Sequence, residues 1–67
     1  MNASSDRAEL STLRSALDDL TDRLVTVADG YRDTDDSAVT ADLDQAERGL
    51  IAARRAVDRA IGRLAGL

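Results

Sequence analysis

The segment Asp33-Thr34-Asp35-Asp36-Ser37, with Val39 two residues on and Asp44 at the twelfth position, repeats the oxygen spacing of a calcium loop. A hard cation takes roughly six to eight oxygen ligands, so acids at alternate positions closed by a twelfth-position carboxylate would make a cage. Here Ala38 stands at the sixth position in place of Gly, and Asp44 at the twelfth in place of Glu. The sharp turn and the long bidentate reach are both missing. The same acids serve equally to cap a helix and solvate a loop, so no metal site is expected.

Two other groups of residues invite a chemical role. Asp18 and Asp22 are spaced as neighbours on a helix face, and paired acids can do acid–base work, but only in a pocket that shifts a pKa. The chain has no His, Cys or Lys, and Tyr31 is its one aromatic residue. Neither a pocket nor a nucleophile is expected from such a composition, so catalytic residues and cofactors are both read as none. The cluster Arg54, Arg55, Arg59 and Arg63 holds charge suited to phosphate, yet its members point to different sides of a helix. Complementing the negative end of a helix dipole and meeting acidic partners are the expected uses.

Two long amphipathic segments must position these residues. Leu10, Leu13, Leu17, Leu20, Leu24 and Val27 recur at alternating steps of three and four, the signature of a helix with one apolar stripe. Ser4, Ser5 or Asp6 is the expected cap, with Glu9 three residues after Asp6, and Gly30 is the expected left-handed residue at the helix end. Tyr31 would then fold back on Thr26 or Val27. The second segment carries Leu43, Leu50, Val57 and Leu64 in one column and Val39, Ala46, Ala53, Ala60 and Leu67 in the next. It opens on Asp36 or Ser37 and closes on Arg55, Arg59 and Arg63, matching the polarity of a helix dipole.

The expected fold is all-α: one domain over residues 1–67, with a first helix over 6–29, a turn over 30–36 and a second helix over 37–65. The short connection demands an antiparallel, coiled-coil-like hairpin. Residues whose numbers sum to about 70 should then face each other, setting Leu20 against Leu50, Leu13 against Val57 and Glu9 against Arg63. Gly49 and Gly62 lie inside the second helix, where each costs roughly 1 kcal/mol against Ala, and a close helix contact or a bend would explain them.

Helix 2 has more apolar surface than one helix can cover. Val25, Ile51 and Ile61, with Leu64 at the edge, are expected outside the seam, and burying one such Ile or Val is worth about 1.5 to 3 kcal/mol. They are the expected interface. A 67-residue chain without disulfides also needs a staple or a partner. A four-helix bundle, most simply a symmetric homodimer, meets both needs, and an unrelated helical protein would serve as well.

Charge narrows the class of partner. Residues 1–47 hold twelve acids and four Arg, net −8, whereas residues 48–67 hold five Arg and one Asp, net +4. An overall charge of −4 argues against non-specific nucleic-acid binding. No apolar run is as long as a signal or membrane segment, so a soluble, cytoplasmic protein without a membrane partner is expected. All nine cations are Arg and Asp outnumbers Glu eleven to two, a bias that GC-rich coding, as in an actinobacterium, produces.

Two families share local patterns with the chain. Leu13-Arg14, Leu17, Leu20 and Leu24-Val25 resemble the first helix of the all-helical chorismate mutases, but the chain is too short for their three-helix protomer, lacks Lys, and has Tyr31 where their second helix-1 Arg would fall. Arg14 is therefore read as a surface residue. Ala28-Asp-Gly-Tyr31-Arg-Asp-Thr-Asp35-Asp-Ser-Ala38 resembles the Tyr-x-x-x-Asp segment of the small helical-hairpin substrates of actinobacterial type VII secretion. That family's Trp-x-Gly turn is absent, and its motif follows the second helix where this one lies between the two. The resemblance implies a hairpin pairing into a four-helix assembly, with Tyr31 and Asp35 as an export signal read by a route without a signal peptide. The leading expectation is a non-enzymatic interaction module acting through self-association or a helical partner.

Overall fold

A computed structural model describes residues 1–67 and consists of two helices, α1 (Ala3–Asp29) and α2 (Ser37–Ala65), packed as an antiparallel hairpin 51 × 14 × 13 Å in extent. Helix α1 begins earlier than the Ser4, Ser5 and Asp6 signals suggested. Asn2 is its cap, extended at φ −124°, and its Oδ1 accepts a hydrogen bond from the Ser5 backbone N–H at 3.0 Å. Asn is among the strongest capping residues, and the earlier start leaves Asp6 inside the first turn, beside the positive end of the dipole.

The connection is built differently from the expected glycine ending. Gly30 is right-handed (φ −66°, ψ −19°), and the N–H groups of Gly30, Tyr31 and Arg32 donate to the carbonyls of Val27, Ala28 and Asp29. The helix thus tightens into i→i+3 turns, and reversal is delayed to Asp33, the one residue with positive φ, at 63°. Aspartate tolerates this region better than most side chains. Thr34 completes the turn: its N–H and its hydroxyl both donate to the Tyr31 carbonyl, and its hydroxyl accepts from the Asp36 N–H at 3.2 Å. Asp36 occupies the cap of α2, but its side chain makes no capping bond.

The seam between the helices is rotated from the leucine stripe. Arg7, Arg14, Thr21 and Ala28 form the central column of α1, facing Thr40, Glu47, Arg54 and Ile61 of α2, and all are half-buried except the buried pair Ala28 and Thr40. Leu10, Leu17 and Leu24, with Leu43, Leu50, Val57 and Leu64, flank that centre and are half-buried. Leu13 and Leu20, expected opposite Val57 and Leu50, are instead 45% and 47% exposed, and Val27 and Val39 are 53% and 40% exposed. The seam is centred on the flank of the leucine stripe, so α2 covers one apolar column of α1 and leaves the other open.

The register is close to that expected from the sequence. Thr40 meets Ala28, and ion pairs join Arg14 to Asp58 and Arg54 to Asp18. Glu9 and Arg63 are both exposed and take part in no ion pair. A Cβ built at Gly49 or Gly62 meets nothing within 4 Å, so no close contact within the hairpin calls for either glycine. No helix is long and apolar enough to cross a membrane.

Candidate functional site: an open apolar face beside a charged edge

One long side of the hairpin is tied by charge. Asp58 accepts from Arg14 Nη1 at 2.8 Å and from Arg54 Nη1 at 2.6 Å, while Arg54 Nε donates to Asp18 at 2.7 Å. The Arg14 hydrogen bond, followed by the field of Arg54, holds the Asp58 carboxyl below its ordinary value. Arg54 is raised in turn, first by its bond to Asp18. These contacts put the column Ser11, Asp18, Val25 and the column Asp44, Ile51, Asp58 on the same side of the seam. The Arg7 Nε lies buried in the central column without a hydrogen-bond partner.

The opposite side is therefore shared by the remaining flanks. Leu13, Leu20 and Val27 of α1 lie along one margin, and Val39, Ala46 and Ala53 of α2 along the other, all exposed. Between them run the half-buried leucines of the two inner columns. The result is a continuous apolar strip along the hairpin with large side chains on its α1 margin and small ones on its α2 margin. Exposed apolar surfaces of this kind are where proteins meet other proteins, membranes or ligands.

Of the residues expected to form the interface, one borders the apolar strip and three lie elsewhere. Val25 and Ile51 belong to the charged edge, Ile61 to the centre of the seam, and Leu64 to the inner flank of the apolar strip; all four are half-buried. Arg14, read as a surface residue, and Asp18, considered only as an acid beside Asp22, each form a cross-helix ion pair, with Asp58 and Arg54 respectively. Their signal was present in the sequence, because opposite charges at 14 and 58 and at 18 and 54 lie symmetrically about the turn.

At the apex, the acids do not converge. No group of three acidic side chains is placed to hold a metal ion. Asp44 instead accepts from both terminal nitrogens of Arg32, at 3.3 and 3.4 Å, and Arg32 also pairs with Asp29. The Arg32 guanidinium is raised by Asp44 first and then by Asp29. Tyr31 is 40% exposed at the tip, and Asp35 is exposed four residues on. Arg55, Arg59 and Arg63 are exposed and engage in no ion pair.

No protein-family model matches the chain, and no curated protein or solved structure is significantly similar to it.

Proposed function

We propose that the chain is a non-enzymatic helical interaction module, an adaptor, regulator or inhibitor, whose open apolar strip associates with helices of a second protein, most simply a second copy in a four-helix bundle. The observation that carries this reading is the half-exposed column Leu13, Leu20 and Val27, with Val39 across from it. A compact folded chain of 7.1 kDa exposes about 4,100 Å². The hairpin exposes 4879 Å², and the excess, about 800 Å², matches what each partner gives to a standard interface. No large side chain is fully buried within one hairpin, which supports a core completed by association. The setting under this reading is cytoplasmic.

Sedimentation equilibrium tests it. The parent chain should sediment as an oligomer at micromolar concentration, and a double substitution Leu13→Ser with Leu20→Ser should yield a helical monomer. A parent that stays a folded monomer, or a double variant that still associates, refutes the strip as the interface.

A second reading is favoured by Tyr31, whose ring stands open at the tip of the turn although it is the chain's one aromatic residue. Under it, Tyr31 and Asp35 are a recognition signal for a type VII secretion-related route, and the protein leaves the cell without a signal peptide. Tyr31→Ala should then block export and spare association. Undiminished export of that variant removes the reading.

A further inference from the structure

We infer that two hairpins pair side by side with their turns at the same end, α1 of each against α2 of the other, closed along both outer edges by the ion pairs Glu9–Arg63 and Arg23–Asp42 between chains. This rests on the reading of the apolar strip as a self-association surface and specifies its geometry.

The argument begins with the residues just outside the strip. One helical step of three beyond the Asp6, Leu13, Leu20 column lie Glu9, Ala16 and Arg23. The same step beyond Val39, Ala46, Ala53 and Ala60 reaches Asp42, Gly49, Ala56 and Arg63. Glu9, Arg23, Asp42 and Arg63 are all exposed, and none has an ion-pair partner within the hairpin. The margins of the strip thus carry four free charges with small residues between them.

Their order along the rod selects the arrangement. The Ala28–Thr40 contact fixes the levels, so Glu9 and Arg63 lie toward the end away from the turn, and Arg23 and Asp42 toward the turn. If the turns coincide and α1 faces the partner's α2, a negative charge meets a positive one at both levels. Inverting the partner while keeping α1 on α2 brings Glu9 to Asp42 and Arg23 to Arg63, which repel. Setting like helices side by side with turns together opposes each charge to its own copy. Only an inverted pair with like helices adjacent also satisfies the charges, and it stacks Leu20 and Leu13 on their own kind while leaving alanine against alanine. Steps of large on small pack to a uniform separation, and the inferred arrangement provides two of them, with Leu13 level with Ala53 and Leu20 with Ala46, while Val27 meets the equal-sized Val39 near the turn. Gly49 and Ala56, bare of bulk at the edge, let the helices close in.

Two measurements on the full chain test this. The chain has no cysteine, so Asp35→Cys carries a single spin label at the turn. Turn-to-turn pairing gives a label separation set by the 14 × 13 Å cross-section of the hairpins, whereas inverted pairing separates the labels by about the 51 Å length. Charge reversal supplies the second: Glu9→Arg or Arg63→Glu alone should weaken dimerisation by roughly three- to tenfold, and the two together should restore it. A dimer with distant labels, or one indifferent to both reversals, overturns the arrangement and leaves the association reading intact. A parent chain that is monomeric overturns the association itself.

Discussion

The Thr40 hydroxyl donates to the Ala28 carbonyl at 3.2 Å, and these two residues are the only buried ones in the chain. The last turn of α1 would otherwise leave that carbonyl with the Tyr31 N–H alone. A side chain from the first turn of α2 thus supplies a bond that the helix end lacks, and it fixes the depth at which the two helices meet. Thr40→Val, which keeps the shape and removes the donor, should lower stability by about 1 kcal/mol, and Thr40→Ser should recover part of it. Urea unfolding followed by circular dichroism measures both. An unchanged midpoint in the valine variant would show that the bond is dispensable.

Acid should loosen the charged edge. Arg14 holds the folded-state Asp58 carboxyl below its ordinary value of 3.8, so the pairing stabilises the fold fully above that value. Its contribution is lost as pH falls through the lower folded value. Asp58→Asn should therefore be less stable than the parent at neutral pH, and the two stabilities should converge at the acid end. Parallel stability curves across the acid range would dissociate Asp58 from this pH dependence.

Gly62 offers a gain. The position is helical and exposed, on the charged side of α2, and an added Cβ meets nothing within 4 Å. Gly62→Ala should stabilise the chain by about 1 kcal/mol, measured by thermal or urea unfolding. A loss would reveal a contact at that site absent from the single hairpin.

The buried Nε of Arg7 has no partner, and an unsatisfied donor of this kind costs about 1 kcal/mol or more. Arg7→Met retains the aliphatic stem against the seam and removes the donor. Its unfolding midpoint should rise, and a fall would mean that the guanidinium contributes more through its charge than its Nε costs.

Much of this fold is legible in the spacing of apolar residues. Two helices, an antiparallel hairpin and a register near the observed one all follow from the leucine columns and the short connection. The direction of the partner helix does not. A heptad stripe defines which face of a helix is apolar, and two adjacent columns such as Leu10 with Leu13 are satisfied either by one helix straight ahead or by two at the sides. The cross-helix ion pairs Arg14–Asp58 and Asp18–Arg54 set where α2 sits against α1, since they anchor the seam on the polar flank of the stripe. The turn was obscured for another reason: Gly30 can adopt left-handed backbone but does not need to, and Asp33, supported by the adjoining Thr34 bonds, reverses the chain instead. Tyr31 and Asp35 are identifiable as turn residues because both fall between the periodic segments, but the 40% exposure of Tyr31 is not, since a glycine-ended helix would fold its ring back on Thr26 or Val27.

The hairpin is nearly four times as long as it is wide, at 51 × 14 × 13 Å. Friction in water depends on outline as well as mass, so a single rod of this kind drags like a heavier sphere. Lateral pairing would double the mass and thicken the rod without lengthening it, bringing its outline closer to that of a sphere. The two changes act in opposite directions on the friction coefficient, and elution from a sizing column would register much less than a doubling. Light scattering, which weighs particles without regard to their outline, is the measure by which one rod and two are told apart.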